Sequence, residues 1–305
     1  MPDILTLTMN PAVDVTFRID HVSPGRKLRC ARPRYEPGGG GVNVSRTIRE
    51  LGGSSMAVWT CGGMTGDLYR DLLDEAGLDH EPIAVDAWTR QNVIVTEEST
   101  NEQYRFCLPG PELTGDEVDR CLERLSQVKR PRFAVFSGSL PPGAPSDFYA
   151  RAARALGPDS RVLVDAADEA LAEAVRGGVY AIKPNVRELG QVVGRDLDDD
   201  DVVESGRRLV AESELEVVLI SFGSDGAVLV TRAGTHELPA PDVSPRSRVG
   251  AGDSMVGAFV CRLNAGDEPL SAARYGVAAG AATAITPGTE LCRRRDVERL
   301  ARRVE

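Results

Sequence analysis

Lysine is almost missing from this chain: of 36 basic residues, all but Lys27, Lys129 and Lys183 are arginine. No basic block forms, and 46 acidic residues bring the formal net charge to −10. Such a chain has little positive charge with which to displace phosphate counterions, which argues against general nucleic-acid binding; the acidity serves solubility. Histidine is as rare, limited to His21, His80 and His236. The six cysteines, Cys30, Cys61, Cys107, Cys121, Cys261 and Cys292, form no C-x-x-C pair and lie apart from the histidines, so the spacing of a zinc site is missing. They read as reduced, buried thiols. No apolar run is long enough to cross a membrane, and the first residues lack the basic and apolar regions of a signal peptide. A soluble, cytoplasmic protein is expected, with neither nucleic acid nor membrane as a partner.

What the chain does have is a βαβ rhythm. "ILTLTM" (residues 4–9) reads as a first strand, and "GVNVSRTIRELG" as a helix with Val42, Val44, Ile48 and Leu51 at helical spacings and Gly52 as its stop. "SMAVWTC" is the next strand and "DLYRDLLDEAG" the next helix. "RFAVFSGS", "RVLVDA", "VYAIKP" and "EVVLISFG" follow as buried strands. The pattern predicts an α/β fold: a doubly wound, mostly parallel sheet with helices on both faces and a site at the carboxyl ends of its strands. Two segments break the rhythm. Residues 13–36 carry alternating strand patterns around "SPGRK", and residues 89–108 read as a hairpin around "ESTNE". Each is too polar on one face for a buried sheet, so together they predict a small discontinuous β-sheet serving as a lid or a dimer contact. The acidic run at residues 196–202 predicts a solvated loop and a helix start.

Candidate site residues lie where glycines cluster. In "SRVGAGDSMVGAF" (residues 247–259), Asp253 follows Gly250, Ala251 and Gly252 at the mouth of a helix. Either the carboxylate caps the helix, or the glycines leave N–H groups free to hold an anion with Asp253 beside it as a base. "EPGGGGVNVSR" (residues 36–46) has four successive glycines, the mark of a flexible turn or of backbone that a ligand approaches closely, and then Asn43, a cap or a hydroxyl ligand. "KPNVREL" sets Lys183, Asn185 and Glu188 at a strand-to-helix junction, where the acid and amide either form a capping box or hold hydrated magnesium among phosphates. "SFGSDGAVL" is a strand–turn–strand whose Ser221, Gly223 and Gly226 offer small donors to a phosphate or ribose. Lys27 and Lys183 suit phosphate binding as point charges; Lys129, in "QVKRPR", reads as a surface residue. Drift under genomic base composition accounts equally for the scarcity of lysine.

In their order along the chain, "TMNPAVDVT", "GGGGVNVSR", "FSGSLPPG", "KPNVREL", "SFGSDGA" and "VGAGDSMVGAF" resemble the ribokinase-like sugar kinases of the PfkB family, over essentially all of residues 1–305. "GRKLRCARP", "WTRQN" and "NEQYRF" look most like its minor-isozyme bacterial 6-phosphofructokinases. The resemblance implies one ribokinase-like domain, with residues 13–36 and 89–108 as its lid and homodimer contact. It implies ATP-dependent phosphorylation of fructose 6-phosphate at C1, with Asp253 as base and residues 250–253 as the anion hole. Asp14, Gly39, Gly40 and Asn43 would bind the sugar; Lys27, Arg90 and Arg105 would bind its existing phosphate or line the approach to it, with Ser139 nearby. Lys183, Asn185, Ser221, Gly223 and Gly226 would line the ATP site, and Glu188 would serve Mg2+. Ser247, Val249, Thr286 and Gly288 match a family K+ site, though Glu290 stands where close relatives carry a basic residue. Relatives that act on fructose 1-phosphate commonly read G-G-K-G where this chain has Gly38 to Gly41. The alternatives are a 1-phosphofructokinase, a tagatose-6-phosphate kinase, or a non-catalytic sugar-phosphate sensor.

Overall fold

Runs of Val, Ile, Leu and Ala without charge form the centre of the main sheet, because strands covered on both faces have no polar side to show. In the computed structural model, which describes residues 2–304, nine strands lie in the order β13-β12-β11-β10-β9-β8-β1-β4-β5. They are β1 (Ile4–Thr8), β4 (Met56–Cys61), β5 (Asp79–Ala84), β8 (Phe133–Ser137), β9 (Arg161–Asp165), β10 (Ala181–Ile182), β11 (Val217–Ser221), β12 (Gly226–Thr231) and β13 (Gly234–Pro239). Pairings from β5 to β11 are parallel; β12 and β13 add an antiparallel hairpin at one edge. The run "VYAIKP" yields a strand of two residues, since Pro184 has no N–H to continue the ladder. Strands β5 ("DHEPIA") and β13 ("GTHELP") escape a hydrophobicity reading because they are edges, where polar residues and proline are tolerated.

Among the described residues ten helices cover the two faces. Helices α1 (Gly40–Glu50), α2 (Gly63–Glu75), α8 (Ala251–Asn264), α9 (Pro269–Ala284) and α10 (Arg294–Ala301) pack on one. Helices α3 (Gly115–Gln127), α4 (Phe148–Leu156), α5 (Asp168–Arg176), α6 (Val186–Val193) and α7 (Asp199–Glu212) pack on the other. β1 shows the division: Leu5 and Leu7 face the second set, while Ile4 faces the first and the Thr6 hydroxyl meets Ser45 of α1 at 2.8 Å. The acidic run begins α7, with the Asp198 side chain accepting from the Asp201 N–H. No helix among the described residues is long and apolar enough to cross a membrane.

The two irregular segments form the expected second sheet, ordered β3-β2-β6-β7: β2 (Ala12–Ile19), β3 (Arg34–Gly38), β6 (Arg90–Glu97) and β7 (Gln103–Cys107). β2 and β6, far apart in sequence, pair in parallel; the outer pairs are antiparallel. The hairpin turns through Asn101 at φ 58°, a left-handed position that asparagine tolerates. Every residue of β7 is exposed. The cysteines are all free, but not all buried as expected: Cys30 and Cys107 are exposed, because they sit on this thin sheet and its connection, and Cys261 is half-buried.

Candidate active site

Gly250 adopts φ 74°, a left-handed turn that delivers the chain into α8 without a side-chain cap. The N–H groups at the start of α8 are therefore open at the positive end of its dipole. Asp253 lies in that first turn. Of the two readings of this carboxylate, capping does not hold: its Oδ2 accepts from the Asn43 amide of α1 at 2.9 Å. Burial, and then the neighbouring Asp165, push its pKa up to about 6, against the opposing pull of Asn43, Lys183 and Arg46. That is the range in which a carboxyl works as a general base near neutrality.

Asp165 ends β9, and its Oδ1 lies 3.1 Å from Lys183 Nζ. Lys183 is 6% exposed. Burial works most strongly against its charge, but Asp165, joined by Glu188 and Asp253, carries its pKa above the ordinary value. Asp253, Asp165, Glu188 and Ser137 to Ser139 line one cavity of about 580 Å3. On the other side of Ala251 and Gly252 lies a second, of about 340 Å3. Its walls include Ser221, Gly223 and Gly226 as well as Val243, Met255 and Val277, an apolar slot with small polar groups at its rim. The glycine-opened mouth of α8 thus stands between two cavities.

Asn185 and Glu188 form a complete capping box at the start of α6: Glu188 N–H donates to Asn185 Oδ1 and Asn185 N–H to Glu188 Oε2, both at 2.9 Å. The capping reading holds, yet the same carboxylate faces the 580 Å3 cavity beside Asp165 and Asp253. Hard oxygen donors of this kind suit Mg2+. Among the described residues no three acidic, His or Cys side chains converge into a ready-made metal cage.

The four glycines after Pro37 have an internal reason. A Cβ on Gly38 would lie 2.3 Å from Asp14 Oδ2; on Gly40, 2.2 Å from Ser137 Oγ; on Gly41, 2.5 Å from the Leu7 carbonyl. Gly39 has φ 120° and forms the N-cap of α1. The close approach expected of a ligand is made here by the protein's own atoms. It excludes a lysine at position 40 unless Ser137 and the Gly138 backbone move.

Asp14, on β2, meets Asn92 Nδ2 at 2.9 Å, and burial raises its pKa while Asn92, Arg90 and Arg105 oppose the rise. Arg90, at the foot of β6, donates to the carbonyls of Leu108 at 2.9 Å and Asn10 at 3.1 Å, tying together chain that enters and leaves the small sheet. Asn10 Nδ2 donates to Ser139 at 3.1 Å. Asn10 Oδ1, Asn92 Oδ1 and Arg90 Nε are buried without partners, and buried polar groups of this kind call for a polar ligand or water. Arg105 on β7 and Lys27, in the connection from β2 to β3, are exposed; Lys27 is not brought against Asp14 or Asp253 by any hydrogen bond or ion pair.

The K+ candidates come together as two touching segments. Ser247 Oγ donates to the Gly288 carbonyl at 2.6 Å, Val249 N–H to Ser247 Oγ at 3.2 Å, and Thr286 Oγ to the carbonyls of Thr283 and Glu290. The Glu290 carboxylate turns away to Arg293 at 2.7 Å. Sequence reasoning missed Asp165, Arg46 and the apolar slot. Asp165 had a signal, an acid at the carboxyl end of a buried parallel strand. Arg46 and the slot had none, since they depend on which helices meet.

The fold and this site define the class: a ribokinase-like α/β kinase. The chain belongs to the pfkB family of carbohydrate kinases, whose model matches residues 7–295. It is 43% identical over 300 residues to the ATP-dependent 6-phosphofructokinase isozyme 2 of Mycobacterium tuberculosis, covering 98% of this chain and 88% of that one. It is 37% identical over 303 residues to the ATP-dependent 6-phosphofructokinase isozyme 2 of Escherichia coli, covering 98% of both. The crystal structure of E. coli phosphofructokinase-2 in complex with potassium superposes with a TM-score of 0.95 over 99% of both chains, at 37% identity.

Proposed function

We propose that the protein transfers the γ-phosphoryl group of ATP to O1 of fructose 6-phosphate, giving fructose 1,6-bisphosphate and ADP. The observation that carries the reading is Asp253, held by Asn43 at an open helix mouth between two cavities. Two full-length relatives at 43% and 37% identity that are 6-phosphofructokinases support the substrate. The sugar lies between Asp14, Asn43 and Ser139, with the backbone of Gly39 and Gly40 beneath it and Lys27, Arg90 and Arg105 towards its 6-phosphate. The nucleotide base enters the apolar slot, with Ser221, Gly223 and Gly226 along the ribose and phosphates and Lys183 and Asn185 beyond them. Asp253 takes the proton of the 1-hydroxyl as that oxygen attacks the γ-phosphorus. The N–H groups of residues 250–253 and the α8 dipole meet the charge on the transferring phosphoryl. Mg2+ bound near Glu188 would neutralise the phosphate oxygens; a monovalent cation would sit on the carbonyls around Ser247, Val249, Thr286 and Gly288. The small sheet closes over the sugar, excludes water as a competing acceptor, and joins two copies into a cytoplasmic homodimer.

The nearest second reading is a 1-phosphofructokinase. Position 40 is glycine, packed against Ser137, so no basic side chain stands in this loop; phosphate recognition falls to the arginines of the small sheet, which favours a sugar phosphorylated away from its reacting hydroxyl. A non-catalytic sensor would need no base at Asp253. The test is initial rates on fructose 6-phosphate, fructose 1-phosphate and tagatose 6-phosphate at saturating Mg-ATP. The expected kcat/KM for fructose 6-phosphate exceeds that for fructose 1-phosphate by ~10²-fold or more, with tagatose 6-phosphate weaker but detectable. A preference for fructose 1-phosphate would overturn the assignment.

A further inference from the structure

We propose that Arg46 and Glu36 are positioning residues that set the orientation of the Asn43 amide and, through it, the catalytic carboxylate of Asp253; the proposal rests on reading Asp253 as the base. A side-chain amide has two orientations of nearly equal shape, and only one turns its Nδ2 donor towards a carboxylate. At Asn43 that choice is made from behind. Arg46, one turn further along α1, donates from Nη1 to Asn43 Oδ1 at 3.2 Å, and arginine has no acceptor to offer the opposite amide face. The oxygen must face Arg46, so Nδ2 faces Asp253 Oδ2, which it meets at 2.9 Å. With Oδ2 occupied by a donor, Oδ1 is the oxygen left to receive a proton.

Arg46 is itself held at three points. Besides Asn43, its Nη1 donates to the Pro37 carbonyl at 3.2 Å, and its Nη2 lies 3.3 Å from Glu36 Oε1. Glu36 is 5% exposed on β3, and its second oxygen accepts from the Thr289 hydroxyl. Arg34, more exposed, adds a contact to Glu36 at 3.1 Å. One continuous chain of polar contacts therefore runs from Thr289 through Glu36, Arg46 and Asn43 to Asp253. It crosses the 286–290 loop, the small sheet, α1 and α8. A planar guanidinium can bridge three such acceptors at once; the single ammonium of lysine cannot hold the same fork.

The experiment measures kcat and both KM values of the full-length enzyme for Arg46→Lys, Asn43→Ala and the double variant. Arg46→Lys is expected to lower kcat by about 10-fold or more, within the coupling seen between members of one hydrogen-bond network, and to leave KM for ATP within about twofold. In the Asn43→Ala background the same substitution should change kcat by no more than about twofold, because the amide it orients is gone. A wild-type kcat for Arg46→Lys, or an equal loss in both backgrounds, would overturn the proposal. Should Arg46→Lys fail to fold, Thr289→Val releases the far end of the chain; it must lower kcat in the Asn43 background alone, and no change there is equally fatal. Asp253→Asn separates the two levels. Full turnover by that variant defeats the base assignment, whereas its loss alongside an unaffected Arg46→Lys defeats the positioning proposal alone.

Discussion

A carboxyl with a pKa near 6 is ionised at neutrality yet still basic enough to accept a proton, and burial of Asp253 beside Asp165 is what produces it. As the proposed base, Asp253 must be charged to work, so kcat/KM is expected to fall tenfold per pH unit below about 6 and to level off above it. Asp253→Asn keeps the size and the contact with Asn43 but accepts no proton; its kcat should fall by at least ~10²-fold. Linkage gives an independent readout. The folded state holds this proton more tightly than the unfolded chain does, so the charged carboxylate costs stability above about pH 6, and the cost fades as pH drops towards about 4. Asp253→Asn should therefore raise the melting temperature at pH 8 by ~2 °C or more, with the gain disappearing near pH 4. Wild-type turnover, or a lowered melting temperature at pH 8, would count against this account. At this scale the sequence is readable where a residue's neighbours are also its neighbours in the chain, as with Asp253 and its glycines. Asp165 was marked only by its place at the carboxyl end of a buried strand, and Arg46, which acts through contacts with other elements, by nothing local.

Arginine side chains on the small sheet differ in what the fold asks of them. Arg90 spends its terminal nitrogens on the Leu108 and Asn10 carbonyls at the sheet's root. Arg105 lies exposed on β7, opposite Ile94 of β6, with its charge close enough to influence Asp14. Arg105→Ala is expected to raise KM for the sugar phosphate by about tenfold with little change in kcat or in KM for ATP, as loss of one charge-assisted contact to a ground-state phosphate should do. Arg90→Ala is expected to affect kcat as well, because it also releases the Leu108 and Asn10 carbonyls at the root of the strands that carry Asp14 and Asn92. Steady-state kinetics with each substrate varied decide the matter; a rise confined to KM for ATP would move both residues to the nucleotide side. The elements themselves were readable from hydrophobic period and glycine stops. Edge strands β5 and β13 were not, since an edge carries no buried alternation to detect.

For the molecule as a whole, the small sheet is the unfinished part. Four strands cannot bury two faces, and here Tyr35, Tyr104, Phe106 and Leu108 are 44%, 36%, 56% and 49% exposed on or beside its strands. Both β3 and β7 are edges with unpaired backbone groups. Exposed aromatic surface joined to open edges is costly in water and promotes association. A second copy meeting this sheet about a two-fold axis covers the same residues on both partners at once, which is how an isologous contact closes without further growth. The sugar-binding candidates Asp14, Arg90 and Arg105 stand on these strands, so a contact that stabilised the sheet would also stabilise the proposed substrate site. Sedimentation at micromolar concentration is expected to give a dimer. Phe106→Asp, which puts a charge into this exposed aromatic surface, should shift the protein towards monomer and raise KM for the sugar phosphate more than KM for ATP, since the slot proposed for the nucleotide is built from α8, α9 and β11–β12 in the main body. A wild-type protein that sediments as a monomer, or a monomeric Phe106→Asp variant with unchanged sugar affinity, would mean that the sheet folds over the site without help from a partner.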